Sequence, residues 1–239
     1  LQLKSILSNM MKRYKPFKEM IFSEPTEEFY SITTNYPIYY YKKNNVEYKI
    51  LDLNVLSKGF HYFRLGTIEM NPSREYIVFN IDFIGDRMFH LFIKPIFTDE
   101  IVELKTYHSK NKVLSVHETL NGSASDFFIW LDDDHIAYTI NNTSYNTNKT
   151  YIYNIHSHKN KLVYKNKNTF IEVKSTADYN IIYDSDYNSD EVYLLDDVTL
   201  LLKRQKDVSY PFIEHYDGIW YIHETNKHRD VIKTTQDFK

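Results

Sequence analysis

No cysteine occurs among the 239 residues, so disulfides, a thiolate nucleophile and cysteine metal ligands are all excluded. That absence fits a reducing compartment. Five glycines and six prolines are too few for collagen-like or linker-like segments. No run approaches the ~18 consecutive apolar residues that a membrane-spanning helix needs. Positive charge is also short. The formal net charge is −3 and the lysines and arginines are scattered, whereas phosphate backbones demand a concentrated positive field. Leu1 to Lys18 alternates apolar and basic residues and lacks the apolar core of a secretory signal. A cytoplasmic protein with no nucleic-acid and no membrane partner is the expectation. The start at Leu1 rather than at a methionine points to a fragment or a trimmed chain.

What the chain does have is sheet-forming aromatic residues. Hydrophobic residues make up 42% and charged residues 26%, the balance of a globular protein. Aromatics reach 16%, with 22 Tyr and 15 Phe, and these side chains suit a pleated, half-buried surface. Only the beginning reads as helix. Leu3, Ile6, Leu7, Met10 and Met11 recur at helical spacing, and Glu24-Pro25 ends the pattern. Residues 1–25 are therefore expected as a helical remnant and 26–239 as a separate all-β domain.

From Phe29 the period is two, and the strands come in sets. Phe29–Ile32, Pro37–Lys42 and Glu47–Leu51 form the first. Thr67–Met70, Tyr76–Ile81, Phe89–Lys94 and Ile101–Leu104 form the second. Phe127–Trp130, His135–Ile140, Thr150–Ile155 and Lys161–Tyr164 form the third. The fourth is Phe170–Val173, Tyr179–Tyr183, Glu191–Leu195 and Thr199–Leu202. The fifth is Phe212–His215, Ile219–His223 and Val231–Thr234. Equivalent second strands near Ile38, Ile77, Ile136, Ile181 and Trp220 are spaced by roughly 39, 59, 45 and 39 residues, close to the period of a propeller blade. The long interval is read as an extended inter-blade loop over Lys105–Ser125. A recurring four-strand unit favours a β-propeller over a plain sandwich, and an incomplete one of about four to five blades.

The stretch Ile50-Leu51-Asp52-Leu53-Asn54 through Leu65-Gly66-Thr67-Ile68-Glu69-Met70-Asn71-Pro72-Ser73 resembles the first blade junction of the prolyl oligopeptidase family, in particular its oligopeptidase B branch. In that pattern a strand end and a short helix precede the next blade, and Asn71-Pro72-Ser73 stands where the family usually has Ser-Pro-Asp or Thr-Pro-Asp. Ile77–Asp82 and Gly85–Leu91 are similar to the strand and turn that follow. So are Phe127–Trp130 with Ile136–Thr139, Glu191–Asp196, and Tyr210–His215 with Trp220–His223 to later blades, in the family's order. The resemblance implies a propeller that covers a serine peptidase active site, admits short peptides and excludes folded proteins. It also implies seven blades, a longer N-terminal helical segment and a following α/β-hydrolase domain, none of which this chain supplies in full.

The chemistry of such an enzyme needs a nucleophile in a Gly-x-Ser-x-Gly elbow. The glycines are Gly59, Gly66, Gly85, Gly122 and Gly218, and no pair flanks a serine at that spacing. Asn121-Gly122-Ser123 comes nearest and reads as a plain loop. His156 and His158 share the spacing of a metal pair on a strand but read as turn residues. His215 and His223 read as blade residues. Asp184-Ser185-Asp186-Tyr187-Asn188-Ser189-Asp190 copies the opening of a calcium loop but has Ser189 and Leu195 where glycine and glutamate are required, so it reads as a polar hairpin turn. Asp132–Asp134 reads the same way. Tyr39-Tyr40-Tyr41 reads as sheet packing with Tyr40 on the opposite face from its neighbours.

No catalytic, cofactor-binding or metal-binding residue is assigned. The function expected is the propeller portion of an oligopeptidase B-like or prolyl oligopeptidase-like serine peptidase, inactive alone. It would be completed by a separate hydrolase-domain polypeptide or would self-associate through open blade edges. The alternative is a catalytically inactive partial propeller that serves as a protein-interaction module. A carbohydrate-active propeller is a third reading, disfavoured because the acidic residues fall mostly in turns.

Overall fold

The computed structural model describes residues 17–85, 89–107, 113–115, 123–141, 147–166, 170–185, 189–196, 198, 200–205, 208–226 and 229–235. The first sheet contains β1 (Phe17–Glu24), β2 (Glu27–Thr33), β3 (Pro37–Lys43) and β4 (Val46–Asp52), hydrogen-bonded in chain order. A single-turn helix, α1 (Leu53–Leu56), leads to β5 (Arg64–Met70), β6 (Tyr76–Asp82), β7 (Phe89–Pro95) and the short β8 (Val102–Glu103). A small two-stranded ladder, β9 (Lys105–Tyr107) with β10 (Val113–Ser115), precedes the third blade. That blade is β11 (Ser123–Trp130), β12 (His135–Asn141), β13 (Thr147–Asn154) and β14 (Lys159–Lys165). The fourth is β15 (Phe170–Ser175), β16 (Asn180–Ser185), β17 (Ser189–Leu194) and β18 (Leu200–Gln205). The fifth is β19 (Val208–Tyr216), β20 (Ile219–Asn226) and β21 (Arg229–Thr235). All described pairings are antiparallel, and one bridge, Ala124 to Phe89, joins the second and third blades into a continuous ladder.

The incomplete propeller read from the sequence is the fold observed, and two of its details change. The helical reading covered residues 1–25, but Phe17–Glu24 is a strand that pairs with β2 from Phe17–Thr33 to Glu24–Glu27. Its consecutive apolar residues Met20, Ile21 and Phe22 suit either structure locally. Pairing with β2, and the packing of Phe22 against Phe29 at 5.9 Å, decide for the strand. The rest of the expected helix, Leu1–Pro16, lies outside the described residues. The Lys105–Ser125 segment, expected as an extended loop, contains the β9–β10 ladder and the start of β11.

The blades are held together face to face. Residues on the middle strands point alternately to the blade before and the blade after. On β6, Ile77, Phe79 and Ile81 join Phe29, Tyr39, Tyr41, Ile50 and Leu53 of the first blade in one buried cluster. Val78, between them, faces the third blade and packs with Phe128, Trp130, Ile136, Tyr138 and Tyr153. The pattern repeats on β12, where Ala137 turns to Ile171, Val173 and Ile182 of the fourth blade. It repeats again on β16, where Ile181 meets Trp220 of the fifth. A strand covered on both sides must be apolar on both sides, which is why Ile77–Ile81 breaks strict alternation. The first strands of the blades lie inward and side by side. β11 packs next to both β5 and β15, and β1 borders β5 across a cleft lined by Ile21, Phe22 and Ile68.

Buried polar groups occur where the ladder is irregular. The β5–β6 register slips between Leu65 and Ile68, and there the Thr67 N–H donates to the Asn80 side-chain oxygen at 2.7 Å. The missing side chain of Gly66 makes room for that amide. A Cβ at Gly66 would overlap the Asn80 oxygen and stand 2.8 Å from the Phe89 ring. Gly66→Ala is therefore expected to lower stability by about 1–3 kcal/mol, the usual cost of overpacking a filled interior. Urea denaturation of the two proteins side by side measures it, and an unchanged midpoint would show that Asn80 shifts freely.

Candidate functional site

Antiparallel blades sort their turns between two rims. The turns that follow each inner strand, at residues 25–26, 71–75, 131–134, 176–179 and 217–218, all fall on one rim. Asn71 organises the second of them. Its side-chain oxygen accepts the N–H groups of Glu75 and Tyr76, each at 2.9 Å, and its amide donates to the Ser73 hydroxyl at 2.8 Å. The same amide donates to the Asp133 carbonyl at 3.3 Å, while the Ser73 N–H donates to the Asp133 carboxylate at 2.6 Å. The Asn-Pro-Ser turn and the Asp132–Asp134 turn are thus one joint between the second and third blades.

Arg74 makes the joint on the other side. It sits at a positive φ of 61°, reaches Glu24 and Glu27 of the first blade, and lies 4.8 Å from the centre of the Phe22 ring. The hydrogen bond and the charge of Arg74 hold the Glu24 carboxyl below the usual carboxylate range against a smaller opposing effect of burial. Between the fourth and fifth blades the Ala177 N–H donates to Glu214 at 2.7 Å, and the buried His215 ring meets Asp178 at 2.5 Å. His215 lies edge-on to Tyr179 and Trp220 at 4.8 and 4.7 Å. The third and fourth blades are instead separated at this rim by a cleft of ≈ 620 Å³ whose lining includes Asp132, His135, Lys159, Lys161 and Asp196.

The residues weighed for chemistry are dispersed among these joints. Ser123 begins β11 opposite Asn141 and is followed by a strand, so it is on no strand-to-helix elbow. Gly122 lies outside the described residues. His156 and His158 diverge: His156 meets Asp134 at 3.0 Å, and His158 meets the Tyr153 hydroxyl at 2.7 Å. His223 is on β20, between Phe212 and Ile232 in register. Among the described residues, no hydrogen bond of His135, His156 or His215 goes to a serine hydroxyl. No group of three or more His, Asp or Glu there is arranged to hold a metal ion.

Asp132 is a turn-forming residue, as its sequence context indicates. Burial alone would raise its carboxyl. Hydrogen bonds from the Asp134 N–H and from His135 outweigh that and leave it below the ordinary aspartate range. Tyr39 and Tyr41 are buried in the first inter-blade cluster, and Tyr40 stacks on Tyr30 on the opposite face. Burial, with Glu19 adding to it, pushes the Tyr39 hydroxyl up to about 12.

Two features escaped the sequence. Asp184, first in the calcium-like run, is buried and faces the third blade. It accepts from the Tyr164 hydroxyl at 2.5 Å and the Asn166 amide at 2.7 Å, while Ser185 and Asp190 close the hairpin at 2.6 Å. Residues 186–188 of that run lie outside the described residues. The second is Glu69 on β5, beside the β1–β5 cleft, whose carbonyl accepts from the Trp130 indole at 3.4 Å. Burial pushes its carboxyl up from 4.5 to about 7, against the smaller pull of a backbone hydrogen bond from Trp130. No spacing rule marks a single glutamate on an inner strand.

The Glu69 shift predicts a pH dependence. A carboxyl with a raised folded pKa holds its proton better in the native state, so its contribution to stability is present below pH 4.5 and lost as pH rises through about 7. Glu69→Gln should flatten the fall of Tm over that window and leave the variant the more stable protein above neutrality. Parallel thermal melts across the window check it, and superimposable pH profiles would show that Glu69 is not buried as a neutral acid.

The comparisons with known proteins follow this architecture. The family described as "Prolyl oligopeptidase, N-terminal beta-propeller domain" matches residues 5–238. No curated protein is matched by sequence. Among solved structures, oligopeptidase B from Trypanosoma brucei, in a closed form with covalently bound antipain, superimposes with a TM-score of 0.72 at 13% identity. That match covers 100% of this chain and 36% of the other. Oligopeptidase B from Leishmania major gives 0.73 at 14% identity, over 98% of this chain and 35% of the other. A post-proline cleaving enzyme from Rickettsia typhi gives 0.59 at 12% identity, over 98% and 46%. At these identities the solved structures establish the fold, and the chain spans about a third of the two oligopeptidase B chains. The match over almost all of the chain, on five consecutive antiparallel blades, places it in the prolyl oligopeptidase family as N-terminal β-propeller sequence.

Proposed function

We propose that this chain is the propeller portion of an oligopeptidase B-like or prolyl oligopeptidase-like serine peptidase, and that it controls access of short peptides to a hydrolase domain provided by other residues. The observation that carries the reading is the family match across residues 5–238, together with the absence of any Gly-x-Ser-x-Gly sequence. A propeller domain with no nucleophile elbow acts on substrates by shape rather than by bond-making. Its contribution is steric. A hydrolase cleft facing a packed ring of blades accepts only narrow, flexible chains, and the separation of the two domains sets the rate of entry.

The residues described above serve that role by holding adjacent blades in fixed orientation. Arg74 with Glu24 and Glu27, Asn71 and Ser73 with Asp133, and Asp178 with His215 each tie a turn of one blade to its neighbour. A cytoplasmic setting is part of the proposal and is supported by the lack of cysteine. Among the described residues, no helix is long and apolar enough to cross a membrane.

The test is direct. The isolated 239-residue chain should leave fluorogenic dipeptide substrates intact and take up no serine-directed phosphonate. Joined to its hydrolase portion, it should permit cleavage of short peptides and protect folded proteins, and removing it should lift that protection. Phosphonate-sensitive hydrolysis by the isolated chain would overturn the reading. Equal cleavage of folded proteins with and without the propeller would favour a plain interaction module.

A further inference from the structure

The seam between the third and fourth blades is closed at one end and open at the other. Away from the rim of the inner turns, the buried Asp184 carboxylate accepts from the Tyr164 hydroxyl at 2.5 Å and the Asn166 amide at 2.7 Å. The middle of the seam is apolar, with Ile129 and Ala137 packed on Ile171, Val173 and Ile182. At the rim of the inner turns the two walls diverge. The cleft between them, ≈ 620 Å³, lies inside the range of about 300–1,000 Å³ that small-molecule sites occupy. Pinned at its far end and packed through its middle, the seam leaves this opening with a fixed depth.

Strand register sets what lines it. Ile152 pairs with Ala137 and Lys161, and Asn154 pairs with His135 and Lys159, so these side chains share the face turned to the fourth blade. Hydrogen bonds hold the neutral part of this wall in one arrangement. The Asn154 side-chain oxygen accepts the N–H groups of His156 and Ser157 at 3.2 and 2.7 Å, which leaves its amide nitrogen to donate to His135 Nε2 at 3.1 Å. His135 Nδ1 then donates to the Asp132 carboxylate at 2.9 Å. The opposite wall presents Asn180 and Asp196. The Asn180 carbonyl accepts the Leu195 N–H at 2.9 Å, and Leu195 is fully buried, so the turn that carries Asp196 is anchored at the preceding residue. Lysine charge therefore stands on one wall and a free carboxylate on the other. Among the described residues, Lys159, Lys161 and Asp196 form no ion pair. At the neighbouring seams facing charges do close into pairs, as Arg74 does with Glu24 and His215 with Asp178.

We propose that this cleft binds a short peptide with free termini, its carboxylate on Lys159 and Lys161, its ammonium on Asp196 and an apolar side chain over Leu131 and Ile152. The charge pattern selects that class. A dianion such as phosphate would gain the lysines but meet Asp132 and Asp196 at the same opening, and like charges at that range oppose it. A divalent cation would find too few oxygen ligands, because Asp132 is already engaged by His135. A zwitterion satisfies both walls at once. The partly buried Leu131 and Ile152, which continue the apolar middle of the seam, add a gain for a peptide side chain that a bare glycine would forgo. Lysines on an outer strand also guard it against edge pairing. Lys165, on the same strand and outside the cleft, has that task alone and serves as the internal control. The inference stands apart from the proposed function, since every group it uses belongs to this chain and none of them gates a hydrolase domain.

Lysine acetylation rates, read by mass spectrometry on the full-length gene product, test the proposal. Any reactive serine is first blocked with a fluorophosphonate, and the probe is the tripeptide Ala-Leu-Ala at millimolar concentration. Lys159 and Lys161 should acetylate several-fold more slowly with the free tripeptide, and Lys165 at an unchanged rate. The N-acetylated and the C-amidated tripeptides should each need about tenfold higher concentration for the same protection, the worth of one hydrogen bond to a charged group. Asp196→Asn should weaken the free tripeptide by that factor and leave the N-acetylated one unchanged, a selectivity that a merely disturbed cleft would not give. Equal protection by all three tripeptides, stronger protection by inorganic phosphate, or no protection overturns the proposal and leaves the proposed function standing. An Asp196→Asn protein that weakens both the free and the N-acetylated tripeptide overturns it as well.

Discussion

Every blade in this chain depends on its neighbour covering its face. The second strands show the constraint most clearly. Ile77, Phe79 and Ile81 need the first blade, and Val78 needs the third. Burying one such side chain is worth about 1.5–3 kcal/mol, and each inter-blade cluster contains five or more of them among the first four blades. A lone four-stranded sheet would forfeit all of that, so stability is shared between neighbours as in other repeat folds. The buried polar residues fit the same constraint because each answers a local need of the backbone. Asn80 satisfies the N–H released by the β5 irregularity, and Asp82 caps the turn that follows.

Hairpin geometry then decides where charge and exposed apolar surface can go. Inner turns collect on one rim, where adjacent blades come within reach of each other's polar side chains. Connections between blades collect on the other, where the chain must cross from an outer to an inner strand and cannot bury everything it carries. Which turns meet across a seam is thus a consequence of topology acting on turn chemistry. It does not require any residue to be placed for catalysis.

This explains what was legible in the sequence. Strand alternation and turn residues located the later blades nearly strand for strand, and the opposite faces of Tyr39 and Tyr40 followed from the period of two. The first strand was not legible, because Met20-Ile21-Phe22 has no alternation and continues an upstream helical stripe. Only its partner β2 makes it a strand. Asp184 was misplaced for a related reason. An aspartate beside Ser185 and Asp190 looks like turn composition, and composition does not report that β16 directs it at Tyr164 of the preceding blade. The missing nucleophile, by contrast, needed no structure, because five glycines can be checked one by one.

The polar ties between blades are better understood as orienting devices than as sources of stability. Pairs such as Arg74–Glu24 and Asp178–His215 have at least one partner open to water, and such pairs add little to stability. The apolar clusters beneath them are worth far more, but packed side chains of similar size tolerate small rotations of one sheet on the next. A hydrogen bond of 2.6 Å from the Ser73 backbone to Asp133 does not tolerate them, because it fails within a fraction of an ångström. Burial therefore decides that the blades associate, and the rim contacts decide at what angle. The seam between the third and fourth blades has a cleft at this rim and its tie, Tyr164 and Asn166 to Asp184, toward the other, and its cluster is built around the small Ala137. Polar ties of this kind set the angle at each seam: Arg74 and Asn71 at the two flanking the second blade, Asp184 between the third and fourth, and Asp178 and Glu214 between the fourth and fifth.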